Sequence, residues 1–409
     1  IVMVSGSVGK TSTKDAVAAV LETRFLVRKS EKSFNSDFGV PFTVLGVKNP
    51  WHNPLAWLLV IKNALALLLL PNHYPNMLVL EVGADKPGDL ARILRIVTPH
   101  AVVITRLPEI PVHVEAYASP EEVREEEFSP AYALPAAAPL VIPADDSYAL
   151  NSAVRISARI YSYGVTDTAT VSIHHSSFYE EGGKVAGMKA KVTMQGEHGD
   201  LIVRGSVGAT QLLPAAAAIA VANAFNIPLT EALQALENYE PPPGRGRLLA
   251  GKNGSIIIDD SYNASPVAVE EALATLKTFP LPTGRQGTAR RIAVLGDMLE
   301  LGRYSATEHG RIGALARNSA DMIIAVGIRA RAFASIAEAD RAQLKDAILH
   351  FDNARAAAGA LPTLVREGDV VLVKGSQSIR TERIVEALLA DPSDASLLVR
   401  QEREWKRKA

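Results

Sequence analysis

The amino-acid sequence predicts an α/β fold, in which a P-loop domain with a mostly parallel sheet is followed by a C-terminal Rossmann-like domain. Three observations predict it. Short apolar runs, IVMV (1–4), MLVLEVG (77–83), AVVITR (101–106) and PLVIPAD (139–145), alternate with helical patterns, which is the signature of parallel strands with crossover helices. The string GSVGKTS follows the first run directly. The same alternation restarts in RIAVLGD (291–297), MIIAVG (322–327) and DVVLVKG (369–375).

Gly6, Ser7, Gly9, Lys10, Thr11 and Ser12 lie between a strand and the helical run TSTKDAVAAVLET. That order turns backbone N–H groups and a helix N-terminus onto one anion, with Lys10 reaching terminal phosphates and Thr11 ligating Mg²⁺. The general pattern G-x-x-x-x-G-K-[ST] is incomplete, because Val4 stands five residues before Gly9. Taken alone, a Gly-Lys pair could equally be a solvated turn, and the flanking strand and helix favour nucleotide binding.

Leu55 to Leu70, LAWLLVIKNALALLLL, is almost continuously apolar, yet shorter than the ~20 residues a membrane span needs. It reads as a buried or partner-facing helix, with an interfacial helix anchored by Trp51, Trp57 and Lys62 as the alternative. Glu81 and Asp85 close the next strand, where ligands of parallel sheets bind, so Glu81 is a candidate Mg²⁺ ligand as well as a plain strand-end cap. His113 and Glu115 leave the tip of the third strand, and His113 is a candidate for holding metal or phosphate. The helix EEVREEEF (121–128) reads mainly as a solvated face.

From about 168 to 207 alternating strands and glycine turns predict an antiparallel extension, after which comes an Ala-rich helix (214–227). In DDSYNASP (259–266) Asp259 and Asp260 could be turn or cap residues. Asn263 offers the donor and acceptor that an adenine edge requires. The aperiodic PLPTGRQGTARR (280–291) is the expected boundary, giving domains 1–285 and 286–409.

Composition narrows the possibilities. At 409 residues, 48% hydrophobic and 21% charged, the chain is long enough for two or three domains with a generous core. A net charge of -1 supplies no electrostatic reason to propose a nucleic-acid partner, and zero cysteines excludes disulfides, thiolate nucleophiles and Cys-ligated zinc. Ile1 begins inside an apolar run, so an upstream segment is expected.

GSVGKTSTKD, FNSDFGVPFTVL (34–45), EVGADKPGDL, HVEAYAS, PPPGR, DDSYNASP, GDMLELG and VLVKGSQSIR occur in the order and spacing of the Mur ligases. The chain resembles that family over nearly its whole length, without the N-terminal UDP-sugar-binding domain. GDMLELG and DDSYNASP point to the branch that adds D-alanyl-D-alanine to a UDP-MurNAc-peptide.

The resemblance implies a cytoplasmic, monomeric, ATP- and Mg²⁺-dependent amide ligase with a central ATP-binding domain, acting through an acyl phosphate in peptidoglycan synthesis. It implies that Lys10 stabilises the transferring phosphoryl group, that Thr11 and Glu81 hold one Mg²⁺, and that His113 holds a second. It assigns Asn263 to adenine, Asp297 to ribose, Arg245 to phosphate, and Lys374, Ser376 and Arg380 to the incoming amino substrate. Two departures stand out. Glu127, with Glu125 and Glu126 beside it, falls where the family carries a carbamylated lysine supporting the second metal. The family's G-x-H-N string reads GATQ, with Thr210 and Gln211. A nucleotide-binding scaffold without ligation, or an amide ligase for another acid, would share these residues.

Overall fold

The computed structural model describes residues 1–31, 34–51, 53–281, 289–335 and 348–406. Strand β1 (Val2–Ser5) is wholly buried, and its neighbours are β3 (Met77–Glu81) and β4 (Ala101–Ile104), both parallel to it. The chain leaves β1 through helix α1 (Lys10–Leu21), pairs β2 (Val27–Lys29) outside β3, and then crosses back to β4. Between β2 and β3 lie α2 (Gly39–Leu45) and α3 (Pro54–Leu69). The carboxyl end of β1 is therefore a topological switch point, where an open α/β sheet forms a crevice.

On the other side the sheet continues through β5 (Pro139–Pro143) and β6 (Arg159–Gly164) into β7 (Val171–Glu181), β8 (Lys184–Met194) and β9 (Glu197–Arg204). The last three are antiparallel, as the alternating pattern near 168–207 predicts. Gly182 and Gly183, both at positive φ, form the two-residue turn between β7 and β8.

Crossover segments α4 (Asp89–Leu94), α5 (Pro120–Phe128) and α6 (Ser147–Ala153) serve β3 to β6. Helix α7 (Leu212–Ala224) is apolar all round and almost entirely buried, its alanines allowing close approach to α1, and α8 (Leu229–Glu237) follows.

A second sheet has the order β10-β11-β15-β12-β13-β14, comprising β10 (Arg247–Ala250), β11 (Ile256–Asp260), β12 (Arg291–Gly296), β13 (Met322–Val326), β14 (Ile348–Phe351) and β15 (Val370–Lys374). All its pairs are parallel except β10 with β11. Helices α9 (Pro266–Thr278) and α10 (Ser305–Arg317) cover it.

Two expectations need correction. Strand β11 falls within the span 1–285 expected for the first domain, yet it pairs with β15, more than a hundred residues later, which no local pattern reveals. The aperiodic stretch expected to mark the boundary lies mostly at 282–288, outside the described residues. The apolar segment 55–70 is not buried: in α3 Val60 alone is buried, and Leu55, Leu58, Leu59, Ile61, Leu65, Leu68 and Leu69 are more than half exposed.

Candidate functional site

The loop after β1 is shaped by two glycines. Gly6 sits at φ 113° and a Cβ there would collide with Thr105, while Gly9 at φ 91° turns the chain into α1. Lys10 Nζ donates to the Gly6 carbonyl and lies 3.8 Å from Glu127 Oε1. Ser7 Oγ donates to Glu127 Oε2, and Ser5 Oγ donates to the Glu127 carbonyl at 2.6 Å. Lys10 and Ser7 thus both meet the same carboxylate of the protein.

Glu81 ends β3 beside the loop. Thr11 Oγ1 donates to Glu81 Oε1 at 3.2 Å, and Arg245 donates to Thr11 Oγ1 at 3.2 Å. Glu81 Oε2 is buried with no hydrogen-bond partner, the kind of atom that asks for a cation. Glu81 and Glu127 are each 2% exposed. Burial is the largest influence on both carboxyls and pushes them up from the usual carboxylate range. Lys14, Lys10, Arg245 and the Thr11 hydroxyl oppose it at Glu81, and Lys10, Ser7 and His113 oppose it at Glu127.

The acidic run of α5 divides by helical phase. Glu125 accepts from Tyr148 and Arg155, Glu126 accepts from the Leu90 N–H, and Glu127 alone of the three lines the cavity.

His113, at φ 68°, leaves the β4 tip and bridges the two halves of the molecule. Its Nδ1 lies 3.0 Å from Glu300 Oε2 and its Nε2 lies 3.5 Å from Asp85 Oδ1. Burial would lower the imidazole, but the hydrogen bond and charge of Glu300, with Asp85, outweigh it and raise it. Glu300 is held below the usual range chiefly by the same hydrogen bond. The Glu115 N–H donates to the Glu300 carbonyl at 3.4 Å, a second link across this contact.

The second sheet supplies the opposite wall. Lys374 Nζ donates to Asp260 Oδ2 at 2.7 Å and to the Asn263 carbonyl at 3.0 Å. Asn263 Oδ1 accepts the Ala264 and Gln377 N–H groups, and Ser376 Oγ accepts the Leu299 N–H at 2.9 Å. The Arg245 guanidinium stacks 4.0 Å over the Tyr262 ring.

One cavity of about 580 Å³ gathers Ser7, Gly9, Lys10, Thr11, Glu81, Asp85, His113, Glu127, Arg245, Asn263, Lys374 and Ser376. A neighbouring cleft of about 320 Å³ shares Gly9, Arg245 and Lys374 with it and is lined further by Ser12, Asp260, Thr210, Gln211 and Glu271.

Gly6 lines neither space, and its role is the turn. Asp297 and Arg380 also stand outside both linings. Asp297 is buried and its Oδ1 accepts the Ala330 N–H at 2.7 Å. Arg380 donates to Glu382 at 2.5 Å and to the Trp405 carbonyl at 3.2 Å, and stacks over the Trp405 ring. Buried Asp259 bonds Ser261, its carboxyl pushed up to about 6 chiefly by burial.

Sequence reasoning did not single out Glu300, Asn35, Ser36 or Trp405, which line the same cavity. Glu300 lay within GDMLELG, but its partner His113 is 187 positions away, and nothing local marks the pairing.

A P-loop at a switch point, buried carboxylates beside it and a lysine-bearing second sheet across one cavity define the class: a P-loop enzyme with its reaction cavity between two α/β sheets. The Mur ligase middle domain matches residues 4–222 and the Mur ligase glutamate ligase domain matches residues 244–377. The chain belongs to the Mur ligase family and is an ATP-dependent ligase.

Among its relatives, the UDP-N-acetylmuramoyl-tripeptide--D-alanyl-D-alanine ligase of Bacillus subtilis is 28% identical over 393 residues, covering 96% of this chain and 76% of that protein. The protein of the same name from Mycobacterium tuberculosis is 29% identical over 417 residues, covering 97% and 74%. MurF from Acinetobacter baumannii superposes with a TM-score of 0.76 at 22% identity, over 95% of this chain and 76% of that one. MurF from Thermotoga maritima, in complex with ADP, superposes at 0.73 with 24% identity, over 94% and 78%. These two share the fold.

Proposed function

We propose that this chain joins D-alanyl-D-alanine to the terminal carboxylate of a UDP-MurNAc-peptide in peptidoglycan precursor synthesis, converting ATP to ADP and phosphate. The observation that carries this reading is the convergence of Lys10, Thr11, Glu81, His113 and Glu127 with Lys374 and Ser376 on one cavity. The names of the relatives support the substrates.

In the first step the acceptor carboxylate oxygen attacks the γ-phosphorus and the bond to the β-phosphate oxygen breaks, giving an acyl phosphate and ADP. Negative charge gathers on the equatorial oxygens, and Lys10 is a cation carried by the loop itself. Its release from the Gly6 carbonyl and Glu127 frees Nζ for the phosphate. In the second step the amine attacks the acyl carbon, phosphate leaves with the bonding pair, and the amine's proton passes to the departing phosphate. Lys374 and Ser376 on the facing wall orient the amino substrate, and Arg380 acts there through Trp405, which lines the same cavity. Arg245, bonded to Thr11, contacts phosphate. In the same reading Asn263 meets adenine and Asp297 meets ribose.

The donors fit Mg²⁺. Thr11 Oγ1 and the unpartnered Glu81 Oε2 would hold one ion, and His113 with Glu127 a second. Mg²⁺ is commonly held through one or two protein ligands together with substrate phosphate oxygens. When bound, Mg²⁺ supplies charge neutralisation on the phosphates.

The strand pairing, which puts β10 and β11 in the second sheet, supports a division of the two units ahead of β10. The enzyme works as a cytoplasmic monomer in this reading.

Steady-state ADP release tests it. Release should require both a UDP-MurNAc-tripeptide and D-Ala-D-Ala, and Lys10→Ala should lower it by about 10³-fold. Nucleotide binding without turnover on that pair would refute the reading.

A further inference from the structure

Helix α3 has no part in the cavity, and its chemistry is that of a lipid surface. None of its residues lines either space at the site. It packs through Val60 and the Trp57 ring, which lies 5.8 Å from Phe42 of α2, while Leu55, Leu58, Leu59, Ile61, Leu65, Leu68 and Leu69 project outward and Leu67 is half-buried. Burying such a face is strongly favourable, and a soluble protein seldom leaves one bare.

Three further features select the occupant. First, between Asp37 and Glu81 the sequence holds no Asp or Glu, although the chain has 44 of them, while Lys48 and Lys62 fall inside this stretch. The segment is cationic as well as apolar.

Second, Lys62 is four residues after Leu58 and three before Leu65, so helical spacing puts it within the exposed leucine face. A protein partner, including a second copy, would have to bury that ammonium. A bilayer lets its stem lie along acyl chains while the head reaches phosphates.

Third, Trp51, Trp57 and Tyr74 are part-exposed around the helix, amphipathic rings suited to the headgroup level. At 16 residues the helix is about 24 Å long, short of the ~30 Å hydrocarbon core, and no described helix is long and apolar enough to cross a membrane. The helix lies in the interface and does not span it.

We propose that α3 is an in-plane membrane anchor that seats this ligase on a bilayer rich in anionic phospholipid, through Leu58, Leu65 and Leu69 with Lys62 as the phosphate contact. Vesicle co-sedimentation of the full chain tests it, with phosphatidylglycerol-containing vesicles against pure phosphatidylcholine. The expected result is at least tenfold stronger binding to the anionic vesicles, weakened by salt. A blue shift of tryptophan emission should accompany it.

Leu58→Glu with Leu65→Glu should abolish binding, and Lys62→Glu should weaken it several-fold. Both variants should keep nucleotide binding, since these side chains are exposed and away from the cavity. Wild-type protein that stays in the supernatant, binding that survives the double substitution, or a dimer in solution that the double substitution dissociates without any vesicle binding would each overturn the proposal. Because ADP release is read separately, failure here leaves the ligase reading intact, and the reverse also holds.

Discussion

In the proposed reading, Glu127 takes the place of a carbamylated lysine and so decides what the site needs from solution. A carbamylated lysine acquires its charge from CO₂, whereas a glutamate carries its own, and Glu127 already lies 3.8 Å from Lys10. Turnover should therefore be unchanged in CO₂-depleted buffer, and Glu127→Gln, which keeps the size and removes the charge, should lower kcat by about 10²-fold. A rate that rises with bicarbonate would refute this.

Asp259 makes a second prediction at this scale. Its carboxyl has an ordinary value of 3.8, raised to about 6 by complete burial, so the fold favours the protonated form. That stabilisation is fully present below pH 3.8 and is lost as pH rises through about 6, a swing of roughly 3 kcal/mol at most. Asp259→Asn should remove it. In denaturant titrations at pH 5 and pH 8, wild type should lose more stability than the variant on going to the higher pH.

At the scale of the element, α7 and α3 are both apolar runs of similar hydrophobicity with opposite fates. In α7 small side chains on every face let α1 and the first sheet close around it, and Ala215, Ala216, Ala217 and Ala218 are fully buried. In α3 the large aliphatic side chains outnumber the positions that face the protein. Packing as tight as that around α7 leaves no room for three extra carbons. Ala218→Leu should cost about 1–3 kcal/mol, seen as a lower guanidinium midpoint. Leu65→Ala on α3 should leave the midpoint nearly unchanged in the absence of lipid.

At the scale of the molecule, the site exists only because two sheets meet. His113 follows β4 of the first and Glu300 follows β12 of the second, and their 3.0 Å contact spans the cavity. Glu300→Ala should lower the His113 titration, because burial then acts with only Asp85 against it, and imidazole proton shifts followed by NMR against pH read this directly. An unchanged midpoint would mean that the two units do not hold this contact in solution.

Local pattern was enough for the elements that carry the phosphate loop. The strand–glycine–helix order, the carboxylate at the end of MLVLE and the antiparallel extension each depend on residues close in the chain, in the extension on consecutive strands joined by tight turns, and the structure has them where the sequence puts them. Glu127 was singled out only through the resemblance to the Mur ligases, and its separation from Glu125 and Glu126 required knowing which face of α5 turns inward.

What local pattern could not supply was anything set by partners distant in the chain. The pairing of β11 with β15 moved DDSYNASP to the second sheet. The exposure of α3 and the union of His113 with Glu300 were decided the same way. The chemistry of each motif belongs to its own residues and was determined by the sequence. Which motifs share a cavity, and which apolar face is left bare, depends on burial and pairing across more than a hundred residues, and only the tertiary structure decided that.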